Sequence, residues 1–328
     1  MKITVIGGSG FIGSNLCKLL DKKSYNFSIF DLKKSYFYPH KTLLGDICSK
    51  KELDSLSASN VLINLAAVHR DDIEPKTLYD DVNVSGSRNI CDLASKKGIN
   101  KIIFTSSVAI YGFAKPDTDE NGEVNFFNDY GRTKYLAEQE YLDWYKQDPK
   151  NRTLVIIRPT VVFGEGNRGN VFNLLNQIKS KRFAMFGNGK NIKSMAYVKN
   201  VAAFLEYSLS FNNGVHIYNY IDKPDMDMNA LISKVRQVLF KKNNVGIRLP
   251  GSIGMIIGYC ADILSKIFSK NFPVSSIRVK KFLSTTKFES SVKNTEFIAP
   301  YSLNEGLEST LNYEFKENNV EKPIYETE

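Results

Sequence analysis

The chain has 328 residues, 42% of them hydrophobic, enough to bury a large core without disulfides. Its four cysteines, Cys17, Cys48, Cys91 and Cys260, lie far apart and its three histidines are scattered, which argues against a zinc or Cys-x-x-Cys redox site and predicts no metal. A net charge of +9 points to an acidic partner. No compact run interleaves basic residues with aromatics, so nucleic acid is set aside in favour of anionic lipid or a phosphorylated substrate.

The start, Met1-Lys2-Ile3, enters a strand without the charged and apolar regions of an export signal, which predicts a cytoplasmic protein. That strand, Ile3 to Ile6, runs into Gly7-Gly8-Ser9-Gly10-Phe11-Ile12-Gly13 and then a helix. Gly7 suits the tight turn, Gly10 lets backbone approach a pyrophosphate at the helix start beside Phe11 and Ile12, and Gly13 lets helix and strand pack closely. The second strand ends at Asp31, about twenty residues past the glycines, where a carboxylate accepts hydrogen bonds from an adenosine ribose and repels a 2′-phosphate. This favours NAD, although Lys33 and Lys34 pull the other way. Asp46 and Ile47 follow a short strand and are candidates to meet the adenine. The fourth strand, Val61 to Ala67, is an apolar run through Leu65 that ends in Ala66 and Ala67, small enough for backbone to pass close to a cofactor.

The fifth strand ends at Thr105-Ser106-Ser107, and Tyr130-Gly131-Arg132-Thr133-Lys134 opens a helix. Tyr130 and Lys134 are four apart and share a helix face. A phenol that titrates at about 10 is a poor base at neutral pH, but a neighbouring ammonium stabilises its phenolate, and Ser107 can orient a substrate hydroxyl. By itself a Tyr/Lys pair at this spacing is usually a solvated contact; with the glycine turn and Asp31 it becomes a proton relay. Alternating strands and helices predict an α/β fold, a Rossmann doubly wound parallel sheet with a smaller, mostly carboxyl-terminal lobe. Residues 1–165 with a return segment 195–222 form the NAD domain, 166–194 and 223–318 the substrate lobe, and 319–328 a flexible tail.

From about Met1 to Phe315 the chain resembles the extended short-chain dehydrogenase/reductases of the sugar epimerase and dehydratase group. The resemblance implies Ser107, Tyr130 and Lys134 as catalytic residues, with hydride transfer between sugar C4 and NAD. Dehydratases of the group need an Asp-Glu pair after the hydroxyl residue; this chain has Val108 and Ala109, which leaves epimerisation. Four segments, His69-Arg70-Asp71-Asp72, Arg168 to Leu175, Tyr218 to Asp225 and Val274 to Phe282, are similar to bacterial epimerases of lipid-linked N-acetylhexosamines used in O-antigen assembly. That implies a polyprenyl-diphosphate-linked sugar as substrate, GlcNAc converted to GalNAc, with His69, Arg168, Asn170, Lys193 and Arg278 as substrate-contact candidates. Relatives acting on UDP-sugars carry an Arg-Asp pair before a Val-x-Asp segment, whereas here the chain reads Lys193-Ser194-Met195-Ala196-Tyr197-Val198-Lys199-Asn200. A soluble UDP-sugar epimerase or a keto-sugar reductase is the alternative, and the oligomeric state is open, a homodimer included.

The stretch Ile253 to Ala261, continuing through Ile263, Leu264, Ile267 and Phe268, is bounded by Pro250 and interrupted by Asp262. It falls short of the roughly 20 apolar residues of a membrane span. Two readings remain: a buried helix of the second lobe, or a helix lying in the membrane interface with Lys266, Lys270, Arg278, Lys280 and Lys281 near anionic headgroups on the cytoplasmic face.

Overall fold

The computed structural model describes residues 1–70, 73–268, 275–319 and 321–325, without the side chains of 266 and 267. Asp71, Asp72, Lys270 and Val274 and the side chains of Lys266 and Ile267 lie outside the described residues. The first half alternates strand and helix: β1 (Lys2–Ile6), α1 (Phe11–Lys22), β2 (Asn26–Asp31), β3 (Thr42–Leu44), α2 (Lys50–Asp54), β4 (Val61–Asn64), α3 (Gly86–Lys96), β5 (Lys101–Thr105), α4 (Asp129–Lys146), β6 (Thr153–Pro159). Shorter elements follow: β7 (Val161–Phe163), α5 (Asn170–Lys179), β8 (Met185–Phe186), β9 (Ile192–Lys193), β10 (Met195–Tyr197), α6 (Val198–Tyr207), β11 (Gly214–Tyr220). The chain continues through β12 (Met226–Asp227), α7 (Met228–Phe240), β13 (Arg248–Leu249), α8 (Gly251–Phe268), α9 (Ser276–Leu283) and α10 (Leu303–Phe315).

Among the described residues one seven-stranded sheet dominates, in the order β11-β6-β5-β4-β1-β2-β3, every pair parallel. Strands buried on both faces are mainly apolar, and β4 and β6 are buried along their whole length, with polar Asn64, Thr153 and Arg158 confined to their ends. Leu16, Leu20 and Phe204 pack on one face, and Ile90, Tyr141 and Trp144 on the other. From β1 the chain first proceeds through β2 and β3 and then returns to lay β4 on the opposite side. The strand order therefore reverses between β1 and β4, and a crevice opens at their carboxyl ends, the usual ligand position in such sheets.

A third core joins α5, α7 and α10 around Leu175, Ile232, Leu307 and Tyr197. Tyr325, within the stretch expected to form a tail, packs on the rest of the chain. Tyr325 donates its N–H to the Gly166 carbonyl at 2.9 Å and accepts from Arg168 at 2.8 Å, while its ring sits 5.7 Å from that of Phe11. An aromatic side chain next to a hydrophobic helix start anchors the strap despite its polar neighbours.

α8 is not a core helix. Its small positions face the protein: a Cβ on Gly258 would lie 2.7 Å from Ser276 Cα, and one on Gly254 would lie 2.8 Å from the Phe186 ring. Its bulky positions face outward, with Ile256, Tyr259, Ile263 and Phe268 each 57–61% exposed. No helix among the described residues is long and apolar enough to cross a membrane.

Candidate active site

The crevice begins at the glycine turn. Gly7 has φ +76°, and a Cβ there would stand 2.6 Å from Ala66 N, so only glycine lets β1 and the end of β4 come this close. A Cβ on Gly13 would lie 2.4 Å from the Gly7 carbonyl, whereas one on Gly10 would meet nothing nearer than 3.4 Å. Gly7 and Gly13 thus serve the fold, and Gly10 leaves an open approach. α1 begins at Phe11 without a side-chain cap, so the amides of its first turn are available to an anion. Asp31 ends β2 and accepts from Ser9 N at 2.9 Å and Lys33 N at 3.1 Å, which holds its carboxylate at the lip of the turn. A dinucleotide fits this cradle: open backbone and helix dipole for the pyrophosphate, and a fixed carboxylate for the ribose. Asp46 caps its own turn, accepting from Cys48 N at 2.8 Å. Ile47, the other adenine candidate, is held from behind. Its side chain is 5% exposed and packs beneath Gly86 in the core, because Gly86 leaves the space a Cβ would fill 2.6 Å away.

On the other wall, β5 delivers Ser107, whose hydroxyl accepts from Ala109 N at 3.1 Å and caps the tight turn Val108–Tyr111. α4 packs directly on that turn, since a Cβ on Gly131 would stand 2.5 Å from the Ala109 carbonyl. Gly131 thus sets how near the start of α4, which carries Tyr130, comes to the Ser107 turn. Asn128 caps α4 by accepting from Gly131 N at 2.9 Å. One turn on, Lys134 is 2% exposed, with Nζ 4.4 Å from the Phe104 ring centre. Burial pushes its ammonium down to about 7, against the attraction of Glu138. The structure therefore assembles Ser107, Tyr130 and Lys134 on two abutting elements at the carboxyl edge of the sheet.

Several residues that position this wall are not visible in the spacing. Glu138 and Arg158, 1% and 7% exposed at their side chains, form a forked ion pair at 2.9 and 2.6 Å that joins α4 to β6, and Arg158 also reaches the Tyr111 hydroxyl at 2.7 Å. Arg132 grips Asp80 at 2.8 and 2.7 Å. Asn83, in the π-helical turn Tyr79–Ser85, holds Val68 through both its amide atoms and also donates to Thr133 Oγ1 at 2.9 Å. A run such as Asn83-Val84-Ser85-Gly86 carries no periodic signal. A π-turn beside a candidate site is nonetheless a familiar device.

The substrate candidates are dispersed. Arg168 pairs with Glu314 at 2.9 Å and stacks on Phe172, because the α10 carboxylate is nearly buried and needs a cation. Lys193 is spent on the carbonyls of Lys281 and Ser284 at 2.7 and 2.6 Å, and burial lowers its ammonium to about 8. Asn170 is exposed at the first turn of α5, His69 Nδ1 lies 3.4 Å from the Ala67 carbonyl at the cofactor edge, and Arg278 is exposed on α9.

With this geometry in place, comparison with known proteins is decisive: the model of the NAD-dependent epimerase/dehydratase family matches residues 3–220. The chain belongs to this family. The N-acetyl-α-D-glucosaminyl-diphospho-ditrans,octacis-undecaprenol 4-epimerase of Escherichia coli O157:H7 is 48% identical over 95% of both chains. The UDP-glucose 4-epimerase of Vibrio cholerae is 25% identical over 97% of this chain and 96% of its own. Among solved structures, UDP-glucose 4-epimerase from Thermotoga maritima, with UDP-glucose, aligns at TM-score 0.74 and 20% identity over 95% of this chain and 98% of that one. As in other members of the family, the cofactor is NAD.

Proposed function

We propose that the chain is the 4-epimerase of an N-acetylhexosamine carried on a polyprenyl diphosphate, interconverting GlcNAc and GalNAc through a transient 4-keto sugar for O-antigen or related surface polysaccharide synthesis. The observation that carries this is the 48% identity, spread over 95% of both chains, to an enzyme named for that reaction. The site supplies the chemistry. Tyr130 takes the C4 hydroxyl proton as its phenolate, and Ser107 orients that hydroxyl. Buried Lys134 balances the phenolate charge; because burial costs it its proton so readily, a neighbouring anion is what keeps it ionised. NAD, when bound against Gly7, Gly10, Phe11, Ile12, Gly13 and Asp31, supplies the hydride acceptor and donor at C4. Val108 and Ala109 offer no acid-base pair for water elimination.

The outward-facing bulky residues of α8, with exposed Lys280 and Lys281 on α9, support peripheral attachment to the cytoplasmic face of the inner membrane. The second reading, a soluble UDP-sugar epimerase, draws on the fold neighbours. It is disfavoured by Lys193, which stands where a nucleotide-gripping arginine would and is occupied by backbone carbonyls. Separate incubation with UDP-GlcNAc and polyprenyl-diphosphate GlcNAc, followed by analysis of the released sugars, distinguishes the two. Turnover of UDP-GlcNAc alone would sink the proposal.

A further inference from the structure

Phe113, Phe126 and Phe127 are 56%, 41% and 51% exposed, and all three flank the candidate catalytic elements. Phe113 follows the turn that Ser107 opens; Phe126 and Phe127 immediately precede the Asn128 cap of the helix carrying Tyr130. The two stretches are laced together. Asn125 donates its N–H to the Ile110 carbonyl at 3.0 Å, and Gly112, at φ +58°, lets Asn125 O come so near that a Cβ would be 1.9 Å from it. The Phe113 and Phe127 rings meet edge to face with centres 4.8 Å apart, a preferred aromatic geometry that stiffens the pair without burying it. Lys281 of α9 sets its Nζ 4.9 Å from the centre of the Phe127 ring. α9 in turn packs on the glycine side of α8, so one helix bridges the aromatic cluster and the outward apolar face.

The three rings stay about half exposed, and leaving that apolar area in water is unfavourable in proportion to its extent. A sugar presented to Tyr130 on a diphosphate must send its lipid away from the site across one of the walls. The wall beside Tyr130 carries apolar rings with a cation set against one of them, the pairing of grease and charge that an isoprenoid chain joined to a diphosphate presents. We infer that Phe113, Phe126 and Phe127 with Lys281 form the path of the substrate's lipid: the first isoprene units lie on the rings and the diphosphate faces the Lys281 ammonium. This rests on the polyprenyl-diphosphate reading of the substrate. The occupant is the isoprenoid chain of the bound substrate; the wider face of α8 is left to the bilayer.

The test compares the wild type with the Phe113→Ser/Phe127→Ser double variant, both with NAD bound, on GlcNAc diphosphates carrying an undecaprenyl or a citronellyl chain. In parallel, binding of dansyl-labelled undecaprenyl diphosphate, which has no sugar, is followed by fluorescence. The double variant should raise KM for the undecaprenyl substrate roughly tenfold with kcat retained, shrink the wild-type preference for the longer chain, and weaken the dansyl probe similarly. Phe127→Trp should retain the preference. Unchanged probe affinity and chain-length preference would overturn the inference, as would a variant that lost only sedimentation with liposomes, since the rings would then serve the bilayer. A wild type inert on the lipid-linked sugar retracts the substrate reading, whereas a probe bound equally by wild type and variant retracts the aromatic path alone.

Discussion

Replacing Lys134 by methionine should destroy turnover and yet stabilise the NAD-free protein. Lys134 is 2% exposed, and burial lowers its pKa from 10.5 to about 7. The unfolded chain, in which the ammonium is solvated, binds that proton across the whole interval, so stability rises with pH between about 7 and 10.5 and the full penalty stands below about 7. At about 1.36 kcal/mol per unit the drop corresponds to roughly 4–5 kcal/mol, an upper bound because the surroundings relax. Met keeps most of the stem volume against the Phe104 ring and removes the charge. Urea unfolding of NAD-stripped wild type and Lys134→Met at about pH 6, 7.5 and 9 measures the difference. The variant should be more stable by about 2 kcal/mol or more at the lowest pH, with the gap closing as pH rises above about 7, because the proton that Lys134 must release on folding then costs progressively less to give up. A gap independent of pH, or a variant less stable at about pH 6, would refute the claim that desolvation dominates at this position.

Tyr130→Phe should lower kcat by about 10²–10⁴-fold with NAD content unchanged, read by coupled detection of the epimerised sugar; wild-type turnover would remove the proposed base. Arg158→Met leaves Glu138 buried without its forked partner and should cost about 3–5 kcal/mol in urea unfolding, since an uncompensated buried carboxylate is far more costly than the pair is beneficial. Deleting residues 319–328 removes the Tyr325 ring from Phe11 and two backbone hydrogen bonds from the Gly166–Arg168 turn, and should speed NAD release several-fold in a dilution and trapping assay. An unchanged release rate would show that the strap does not support the start of α1.

The glycine turn, Asp31, Ser107 and the Tyr130/Lys134 pair were legible in the sequence because each is local. A strand, a bare turn and a helix start fix the path of a few consecutive residues, and four-residue spacing fixes a shared helix face whatever surrounds it. Partner choice is a different kind of fact. The partners of Arg168 and Lys193, Glu314 and two backbone carbonyls, come from more than eighty residues away and leave no mark in the local sequence. The packing of the Ile47 side chain under Gly86 was hidden for the same reason: a vacancy left by a distant glycine is invisible along the chain. α8 was ambiguous because a helix apolar on most sides has no face marked for the core; the contacts of Gly254 and Gly258 chose, turning the small side inward and the large side out. Phe113 and Phe127 became one surface only when the Ser107 turn and the start of α4 were laid side by side. The sequence by itself determined which groups are candidates for the chemistry, since the glycine turn and the helix face shared by Tyr130 and Lys134 are each set by a few consecutive residues. Only the tertiary structure decided which charges remain available and which apolar surface stays bare, since both depend on what long-range packing brings alongside.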